Sequence, residues 1–595
     1  MSPQMPTGHH LYQDPSVSID ERVEDLLARM PLTDKVGLFF HTLVGVGDPD
    51  QPHPMFGFPA VTELIDSGIT HFNILGSAPD GRQFAKWHNQ IQRIALERPL
   101  GIPVTFSTDP RHHFTDNPLT QMMAGPFSQW PEMLGLAAIG SEQLVETFAD
   151  IARQEYLAAG IRVALHPQID LATEPRWARI SATFGEDADL TSRLVGSYIL
   201  GFQRRDFGAD SVSTMTKHFP GGGPQKDGTD PHFATGREQV YPGNNFGYHL
   251  QPFEAAIAAG TRQMMPYYGM PVGTEYEEVG FGFNQGIITG LLREHLGFDG
   301  IVCTDWGLIV DHADAGDIGT ARAWGVEHLS VPDRVLKAIN AGVDQFGGEE
   351  CVDVLVALVD DGKVSESRID QSARRLLREK FLLGLFDRPF VDEDAAAATI
   401  GRKDFRAAGL QAQKHAVTLL VNRPAADGGP TLPLRRGIKV YAEGISPEAL
   451  SAYATPVADP TDAEVALVRL QAPYQAGGDG FAAFFHQGSL EFPVERLETL
   501  DALCATVPTV IDVYLDRPAV LTEIAGTAAG LVANYGIAEA ALLSVLFGES
   551  DPRGRLPFDL PRSDAAVIAS DGDVPFATED PVFRFGHGLR YAATS

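Results

Sequence analysis

Apolar runs of strand length alternate with amphipathic segments between residues 33 and 350 of the chain. Helical patterns, such as those at 142–159 and 189–207, separate the runs. The eight predicted strands are 35–40, 71–75, 103–107, 161–165, 212–216, 263–266, 300–304 and 343–346. Strand and helix that alternate eight times predict a (β/α)8 barrel of the TIM type.

The last third of the chain repeats the alternation with fewer strands. The predicted strands there are 417–421, 438–441, 465–470, 509–514 and 530–534. Helical segments between them predict an α/β sandwich of three layers. Pro389 ends the preceding helical segment. We therefore predict a barrel domain with an N-terminal extension at 1–390, a linker at 391–408 and an α/β sandwich domain at 409–595.

The composition excludes several classes of partner. The chain has 595 residues, with 46 basic against 78 acidic ones and a formal net charge of −32. This charge argues against binding to nucleic-acid phosphates or to an anionic membrane surface. No apolar run reaches the ~18 residues of a transmembrane helix, so no membrane span is expected. The N-terminus lacks a basic start and an apolar core, so we expect no secretory signal and a cytoplasmic location.

Charged and polar side chains follow several of the predicted barrel strands. Asp305 ends one apolar run, and Trp306 beside it offers the flat apolar surface on which sugar rings stack. Loops after the strands of a barrel lie on one face, so these side chains should converge there. The converging residues are Asp109, Arg179, Lys217, His218 and Asp305. Carboxylates and cations that alternate in one pocket suit a ligand with many hydroxyl groups.

These motifs, in this order and spacing, resemble glycoside hydrolase family 3, and in particular its bacterial β-glucosidase-like members. The motifs are Asp109, Pro175-Arg176-Trp177-x-Arg179, Lys217-His218-Phe219, Thr304-Asp305-Trp306, and near the C-terminus Gly554-Arg555-Leu556-Pro557 and Phe585-Gly586-His587-Gly588-Leu589. The resemblance covers nearly the whole chain. It implies a retaining, exo-acting β-glycosidase, most simply a β-glucosidase, that acts on a small carbohydrate or glycoside without a cofactor or metal. Relatives often dimerise, so a homodimer is a further expectation.

The resemblance also implies a role for individual residues. Asp305 is the expected nucleophile, which forms a covalent glycosyl intermediate. The expected sugar-binding residues are Asp109, Arg179, Lys217, His218, Tyr267 and Trp306. Tyr267 matches a tyrosine that lies against the nucleophile, and its neighbour Tyr268 fits that place equally well.

The position of the acid/base residue departs from the pattern of many relatives. Many two-domain relatives use a Glu from the second domain, but the comparable position here is Gln475, which has no proton to transfer. One substitute is the pair Asp230 and His232, which resembles the Asp-x-His dyad of the family's β-N-acetylglucosaminidases. A histidine held by an aspartate has a pKa near the working pH. The alternatives are Glu491 and Asp479.

Other activities fit the same residues. β-Xylosidase and β-N-acetylglucosaminidase are variants on the same fold. A phosphorylase is a further alternative, because a histidine acid/base tolerates phosphate where a carboxylate repels it. Loss of the second-domain Glu also allows an inactive sugar-binding protein. A metal-dependent hydrolase built on His112 and His113 is disfavoured, because neighbouring residues of a strand point to opposite faces.

Overall fold

A computed structural model describes residues 10–54, 57–77, 80–109, 112–114, 124–311, 320–426, 428–476, 478 and 480–591. Its first ten strands are β1 (Phe40–Gly45), β2 (His71–Leu75), β3 (Thr105–Thr108), β4 (Ile161–Ala164), β5 (Ser213–Phe219), β6 (Glu238–Val240), β7 (Gln263–Pro266), β8 (Met270–Val272), β9 (Ile301–Trp306) and β10 (Gln345–Gly347). Eight of them close a parallel barrel in the order β1-β2-β3-β4-β5-β7-β9-β10, while β6 pairs with β8. The predicted barrel is confirmed.

The first predicted strand is wrong in its position. Residues 35–37 belong to a helix, and the strand begins only at Phe40. Leu32, Val36 and Phe39 have the spacing of one helical face, and Val36 and Phe39 are fully buried. A short apolar run cannot by itself distinguish a buried strand from a buried helix, which explains the error. The other seven predicted barrel strands each overlap an observed one.

Helices cover the outside of the barrel. They are α1 (Ile19–Leu27), α2 (Leu32–Gly37), α3 (Val61–Asp66), α4 (Gly81–Leu96), α5 (Met133–Ile139), α6 (Glu142–Ala159), α7 (Ala188–Gln203), α8 (Phe246–Ala258), a π-type helix (Gly286–His295), α9 (Val331–Ala341), α10 (Val352–Asp360) and α11 (Glu366–Leu382). The Ser141 side chain caps α6, and Gly160, with φ of 82°, ends it. Within the described ranges, no helix has the length and apolar character needed to span a membrane.

The second domain is built on a six-stranded sheet. Its strands are β11 (Thr418–Asn422), β12 (Lys439–Glu443), β13 (Thr455–Val457), β14 (Val465–Gln471), β17 (Thr509–Tyr514) and β18 (Gly530–Asn534), in the order β11-β18-β17-β14-β12-β13. Only β11 runs antiparallel to its neighbour in this sheet. All five predicted strands are present. The sequence pattern missed β13, a three-residue edge strand whose first two residues are exposed.

Two short strands and seven helices complete the described fold. The hairpin strands are β15 (Gln475–Ala476) and β16 (His486–Gln487), and the helices are α12 (Glu393–Thr399), α13 (Lys403–Ala416), α14 (Pro447–Ser451), α15 (Val494–Thr506), α16 (Thr522–Thr527), α17 (Glu539–Leu546) and α18 (Asp564–Ile568). The predicted linker 391–408 therefore contains α12 and the start of α13. The domain boundaries themselves stay a prediction.

Hydrogen bonds join the second domain to the loops at the C-terminal end of the barrel. The buried carboxylate of Glu186 accepts the backbone N–H groups of Asp559 at 2.6 Å and Phe576 at 2.8 Å. In the opposite direction, Asp573 accepts the N–H groups of Gly243 and Asn245, each at 2.8 Å. These bonds hold the second domain over the face of the barrel where the predicted site residues lie.

Candidate active site

A cavity of about 420 Å³ lies at the C-terminal end of the barrel strands, and both domains line it. The predicted residues that line it are Asp109, Arg179, Lys217, His232, Asp305 and Trp306. His218, Asp230 and Tyr267 lie immediately behind these residues and contact them. The strand ends therefore bring together the side chains that the motifs predicted. The second domain closes one side of the cavity.

Asp305 lies near the end of β9 and is 6% exposed. Its Oδ1 accepts the N–H of Trp306 at 2.8 Å. Its Oδ2 has no hydrogen-bond partner and lies 3.6 Å from His218 Nε2. One oxygen thus orients the carboxylate while the other stays available to attack carbon, which is the arrangement that a nucleophile needs.

The tyrosine beside the nucleophile is Tyr268. Its hydroxyl donates to the carbonyl of Trp306 at 2.8 Å and accepts the N–H of Trp306 at 3.0 Å. Burial, together with the charge of Asp305, raises the pKa of Tyr268 well above its ordinary value, so the hydroxyl stays protonated. Tyr267 points away from the cavity and donates to Asp230 Oδ2 at 3.2 Å. The resemblance matched Tyr267 to the tyrosine that lies against the nucleophile and allowed Tyr268 as well. In the structure, Tyr268 occupies that position.

Lys217 and Asp109 form an ion pair between the ends of β5 and β3. The Lys217 side chain is 4% exposed, and burial lowers its pKa although Asp109 opposes that shift. Asp109 Oδ1 also lies 3.7 Å from His166 Nε2. The pair places a donor and an acceptor side by side in the cavity, which suits adjacent hydroxyl groups of a sugar.

His218 is held by Asp170, a buried residue that the sequence analysis did not single out. Asp170 Oδ2 lies 2.8 Å from His218 Nδ1, and Oδ1 accepts the N–H groups of His218 at 3.2 Å and Gly222 at 2.5 Å. Burial and the charge of Arg179 lower the pKa of His218 well below its ordinary value. Burial raises the pKa of Asp170 to about 6, although these backbone bonds oppose that rise. A neutral His218 directs Nε2 toward the nucleophile.

Arg179 supplies a permanent positive charge beside the nucleophile. Its Nη2 donates to Gln168 Oε1 at 3.4 Å, and its Nη1 has no hydrogen-bond partner. Burial alone would lower the pKa of Arg179, but Tyr267, Asp230 and Asp305 outweigh burial and raise it. Arg179 also lines the cavity, so its guanidinium is placed to donate to a hydroxyl group of a bound sugar.

Asp230 and His232 form the dyad that the sequence suggested. His232 Nδ1 lies 2.6 Å from Asp230 Oδ1, and Trp177 Nε1 donates to Asp230 Oδ2 at 3.0 Å. Burial would raise the pKa of Asp230, but His232 and Arg179 outweigh it and the pKa falls to about 2. Burial lowers the pKa of His232 below its ordinary 6.5, although Asp230 opposes that shift. The imidazole ring contacts Tyr268, with ring centroids 4.7 Å apart.

Glu491 does not line the cavity. It is exposed, and its Oε1 accepts the N–H of Asp564, the first residue of α18, at 3.0 Å. A carboxylate at the start of a helix is a favourable structural arrangement, and it explains this residue without catalysis. The structure thus places Glu491 outside the cavity and does not favour it as the acid/base. Asp479, the remaining candidate, lies outside the described residues.

The second domain contributes residues that the motifs did not indicate. Phe481 and Phe485 line the cavity and contact the His232 ring at centroid distances of 5.7 and 5.0 Å. His486 lies beside them, with Nδ1 2.5 Å from Asp516 Oδ2. Residues 481–486 contain three Phe and one His. This segment is too short to establish the period of a strand or of a helix, so the sequence pattern did not indicate them. Arg322 from the barrel domain, also missed, completes the wall beyond Trp306.

The two adjacent histidines of the metal hypothesis have separate partners. His112 Nε2 lies 2.8 Å from Glu155 Oε2, whereas His113 Nδ1 lies 3.2 Å from the carbonyl of Pro131. Across the described ranges, no group of three His, Cys, Asp or Glu side chains has the arrangement of a metal site.

Comparison with known proteins identifies relatives along the whole chain. Residues 63–379 match the glycosyl hydrolase family 3 N terminal domain, and residues 308–591 match the corresponding C-terminal domain. The chain is 50% identical, over 99% of its length and 95% of the relative's, to a probable beta-glucosidase C of Aspergillus flavus. It is 39% identical, over 97% of its length and 91% of the relative's, to a periplasmic beta-glucosidase/beta-xylosidase of Dickeya chrysanthemi.

Solved structures share the fold. A β-glucosidase from Listeria innocua in complex with isofagomine superimposes with a TM-score of 0.76 at 21% identity, over 96% of this chain and 83% of that one. The proteins that are 50% identical to this chain are fungal, so the narrower expectation of a bacterial type of member is not supported.

Proposed function

Because the chain belongs to glycoside hydrolase family 3, we propose that this enzyme is a retaining, exo-acting β-glucosidase that releases terminal β-linked glucose. The observation that carries the proposal is the carboxylate of Asp305, which lies in the wall of a cavity lined by paired charges and whose Oδ2 has no hydrogen-bond partner among the described residues. The names of the Aspergillus and Dickeya relatives support glucose as the substrate sugar. A small cavity closed by a second domain suits the end of a carbohydrate chain better than its middle.

In the first step, Asp305 Oδ2 attacks the anomeric carbon of the bound sugar. The bond from that carbon to the aglycone oxygen breaks as the bond to Asp305 forms, and the electron pair goes to the leaving oxygen. His232, in its protonated form, donates the Nε2 proton to this oxygen, while Asp230 holds Nδ1. Arg179 stabilises the carboxylate before attack, since its charge lies close to Asp305.

In the second step, water attacks the anomeric carbon from the side that the aglycone has left. His232 Nε2 accepts the proton of the water, and the ester bond to Asp305 breaks. Two displacements at one carbon return the original configuration, so the product is the β-anomer of glucose. Lys217 and Asp109 bind hydroxyl groups and keep the ring oriented through both steps, while Asp170 holds His218 behind the nucleophile.

A β-xylosidase is the second candidate, because one relative at 39% identity carries both names. The cavity residues on which the proposal rests accept either sugar, since the two differ by one hydroxymethyl group. The expected homodimer stays a prediction from the family resemblance.

The first experiment compares nitrophenol release from aryl β-glucoside, β-xyloside and β-N-acetylglucosaminide by the purified enzyme. We expect the glucoside to be turned over fastest. Proton NMR of the first minutes of reaction should show β-glucose before mutarotation. Initial release of the α-anomer would contradict the retaining mechanism, and absence of turnover for all three substrates would contradict the proposed function.

A further inference from the structure

Arg322 is a buried cation whose side chain has no partner among the described residues. It is 8% exposed, its guanidinium lines the cavity, and its Nε has no hydrogen-bond partner. Among the described residues, Arg322 makes one hydrogen bond, from its backbone N–H to the carbonyl of Gly307 at 2.9 Å. Within the described part of the chain, no carboxylate forms an ion pair with it.

The other arginines buried to this degree all have partners. Arg22 donates twice to Asp387, and Arg153 donates twice to Asp150. Arg162 and Arg517 donate to several backbone carbonyls, and Arg334 donates to Asp311. A buried charge without a partner is strongly unfavourable, so a folded protein compensates for it or uses it.

Glu349 is a carboxyl group close enough for the charge of Arg322 to affect its pKa, but it does not neutralise Arg322. Glu349 uses Oε1 to accept the N–H of Ile309 at 2.7 Å and forms no ion pair with Arg322. Burial raises the pKa of Glu349 to about 8, although the charge of Arg322 opposes that rise. Glu349 is therefore largely protonated at neutral pH. The positive charge of Arg322 is left for a ligand in the cavity.

Two contacts place Arg322 in the same region of the cavity as the proposed proton donor, His232. Two residues further on, Trp324 Nε1 donates to the carbonyl of Pro231 at 2.8 Å, which ties this segment to the loop of His232. Arg322 is also close enough to Tyr268 to influence its pKa, and the Tyr268 ring contacts His232. The guanidinium of Arg322 and the proton donor His232 thus both line the cavity, and Tyr268 is close to each of them.

We propose that Arg322 forms an oxyanion subsite for the leaving group, so that the enzyme favours β-glucosides of aromatic acids. The guanidinium has the planar fork that binds a carboxylate or phosphate through two hydrogen bonds. Phe481, Phe484 and Phe485 line the same cavity and offer an apolar surface to an aromatic ring. An inorganic phosphate ion carries the same oxyanion chemistry and is the other source of a ligand. The inference rests on the proposed β-glucosidase function.

The test compares two matched substrates, the β-glucoside of 4-hydroxybenzoate and that of its methyl ester. The quantity measured is the ratio of kcat/KM for the acid to kcat/KM for the ester, in the wild type, Arg322→Gln and Arg322→Lys. Because the chemical difference between the two leaving groups is the same in every variant, only the recognition of charge changes the ratio. We expect Arg322→Gln to lower it by about tenfold or more. Arg322→Lys should recover part of the loss. An unchanged ratio would overturn the proposal.

Two further experiments distinguish a carboxylate from phosphate as the ligand of Arg322. They also distinguish a failure of the subsite from a failure of the proposed β-glucosidase function. Wild-type turnover of the ester in phosphate buffer is followed by ³¹P NMR. Glucose 1-phosphate that forms with the wild type and not with Arg322→Gln would identify phosphate as the ligand. Calorimetric titration of the wild type and the variant with 4-hydroxybenzoate tests the subsite without turnover. If the wild type fails to hydrolyse the ester, the proposed function fails, whereas binding that is equal in both proteins overturns the subsite alone.

Discussion

His232 and Asp230 are joined twice, through the side chain and through the backbone. Asp230 Oδ1 lies 2.6 Å from His232 Nδ1 and accepts the backbone N–H of the same histidine at 3.0 Å. A spacing of two residues allows one carboxylate oxygen to meet both groups. The second oxygen is held by Trp177 and Tyr267. This relationship fixes the tautomer of His232, whose Nε2 is left for the substrate.

Asp305→Asn should reduce turnover of aryl β-glucosides by at least about a thousandfold, because the amide is a poor nucleophile. The melting temperature should stay close to that of the wild type, since Oδ1 accepts the N–H of Trp306 and the amide oxygen of asparagine preserves this bond. Glu491→Gln is the matched control, because it removes an exposed carboxylate outside the cavity. Near-normal rates for Asp305→Asn would remove its assignment as nucleophile.

His232→Ala should slow the hydrolysis of glycosides with poor leaving groups by about 10²–10⁴-fold. Glycosides of nitrophenols should lose much less, because their leaving oxygen departs without a proton. The measurement is kcat/KM for a series of aryl glycosides, plotted against the pKa of the released phenol. A plot with the same slope as the wild type would show that His232 does not donate the proton.

Activity toward poor leaving groups should fall as pH rises through the pKa of His232. The donor form is the imidazolium, and burial places its pKa below the ordinary 6.5. Asp230 raises that pKa, so Asp230→Asn should move the midpoint to lower pH. The check is kcat/KM for an alkyl β-glucoside between pH 4 and 8. A midpoint that does not respond to Asp230→Asn would contradict the dyad.

Tyr267→Phe and Tyr268→Phe should have different effects. Loss of the Tyr267 hydroxyl removes a donor from Asp230, makes that carboxylate more basic and raises the pH midpoint set by His232. Loss of the Tyr268 hydroxyl removes both bonds to the Trp306 backbone and should lower kcat by about tenfold or more, with little change in the midpoint. Identical pH profiles for the two variants would contradict these separate roles.

Stability should decrease as pH rises from about 5 to 9, and Glu186 should account for part of the decrease. Its pKa is raised to about 8 in the folded protein, against 4.5 for the ordinary group, so the folded state holds a proton that the unfolded state releases. The contribution is complete below the unfolded pKa and is lost as pH rises through the folded one. Glu186→Gln should flatten the melting temperature over this range. Parallel curves for variant and wild type would contradict the assignment.

The period of the apolar positions by itself determined the fold class. Seven of the eight barrel strands and all five predicted strands of the second domain could be located, because buried strands flanked by amphipathic helices leave a local signal. The exception, at 35–40, failed because four or five apolar positions satisfy a helix and a strand alike. Asp305 and its neighbours could be found for a related reason: a barrel brings all its strand ends to one face.

Tertiary structure alone decided the finer questions. Tyr267 and Tyr268 are adjacent in the chain, and only the packing of β7 against β9 shows that Tyr268 meets the nucleophile. Glu491 is close to the expected loop in sequence, yet the chain turns it onto α18. The sequence does not show that Arg322 lacks a partner among the described residues, because this depends on where all the side chains around it lie in the folded protein. Local patterns encode elements and strand ends, whereas the environment of a side chain is set by residues that are distant in the sequence.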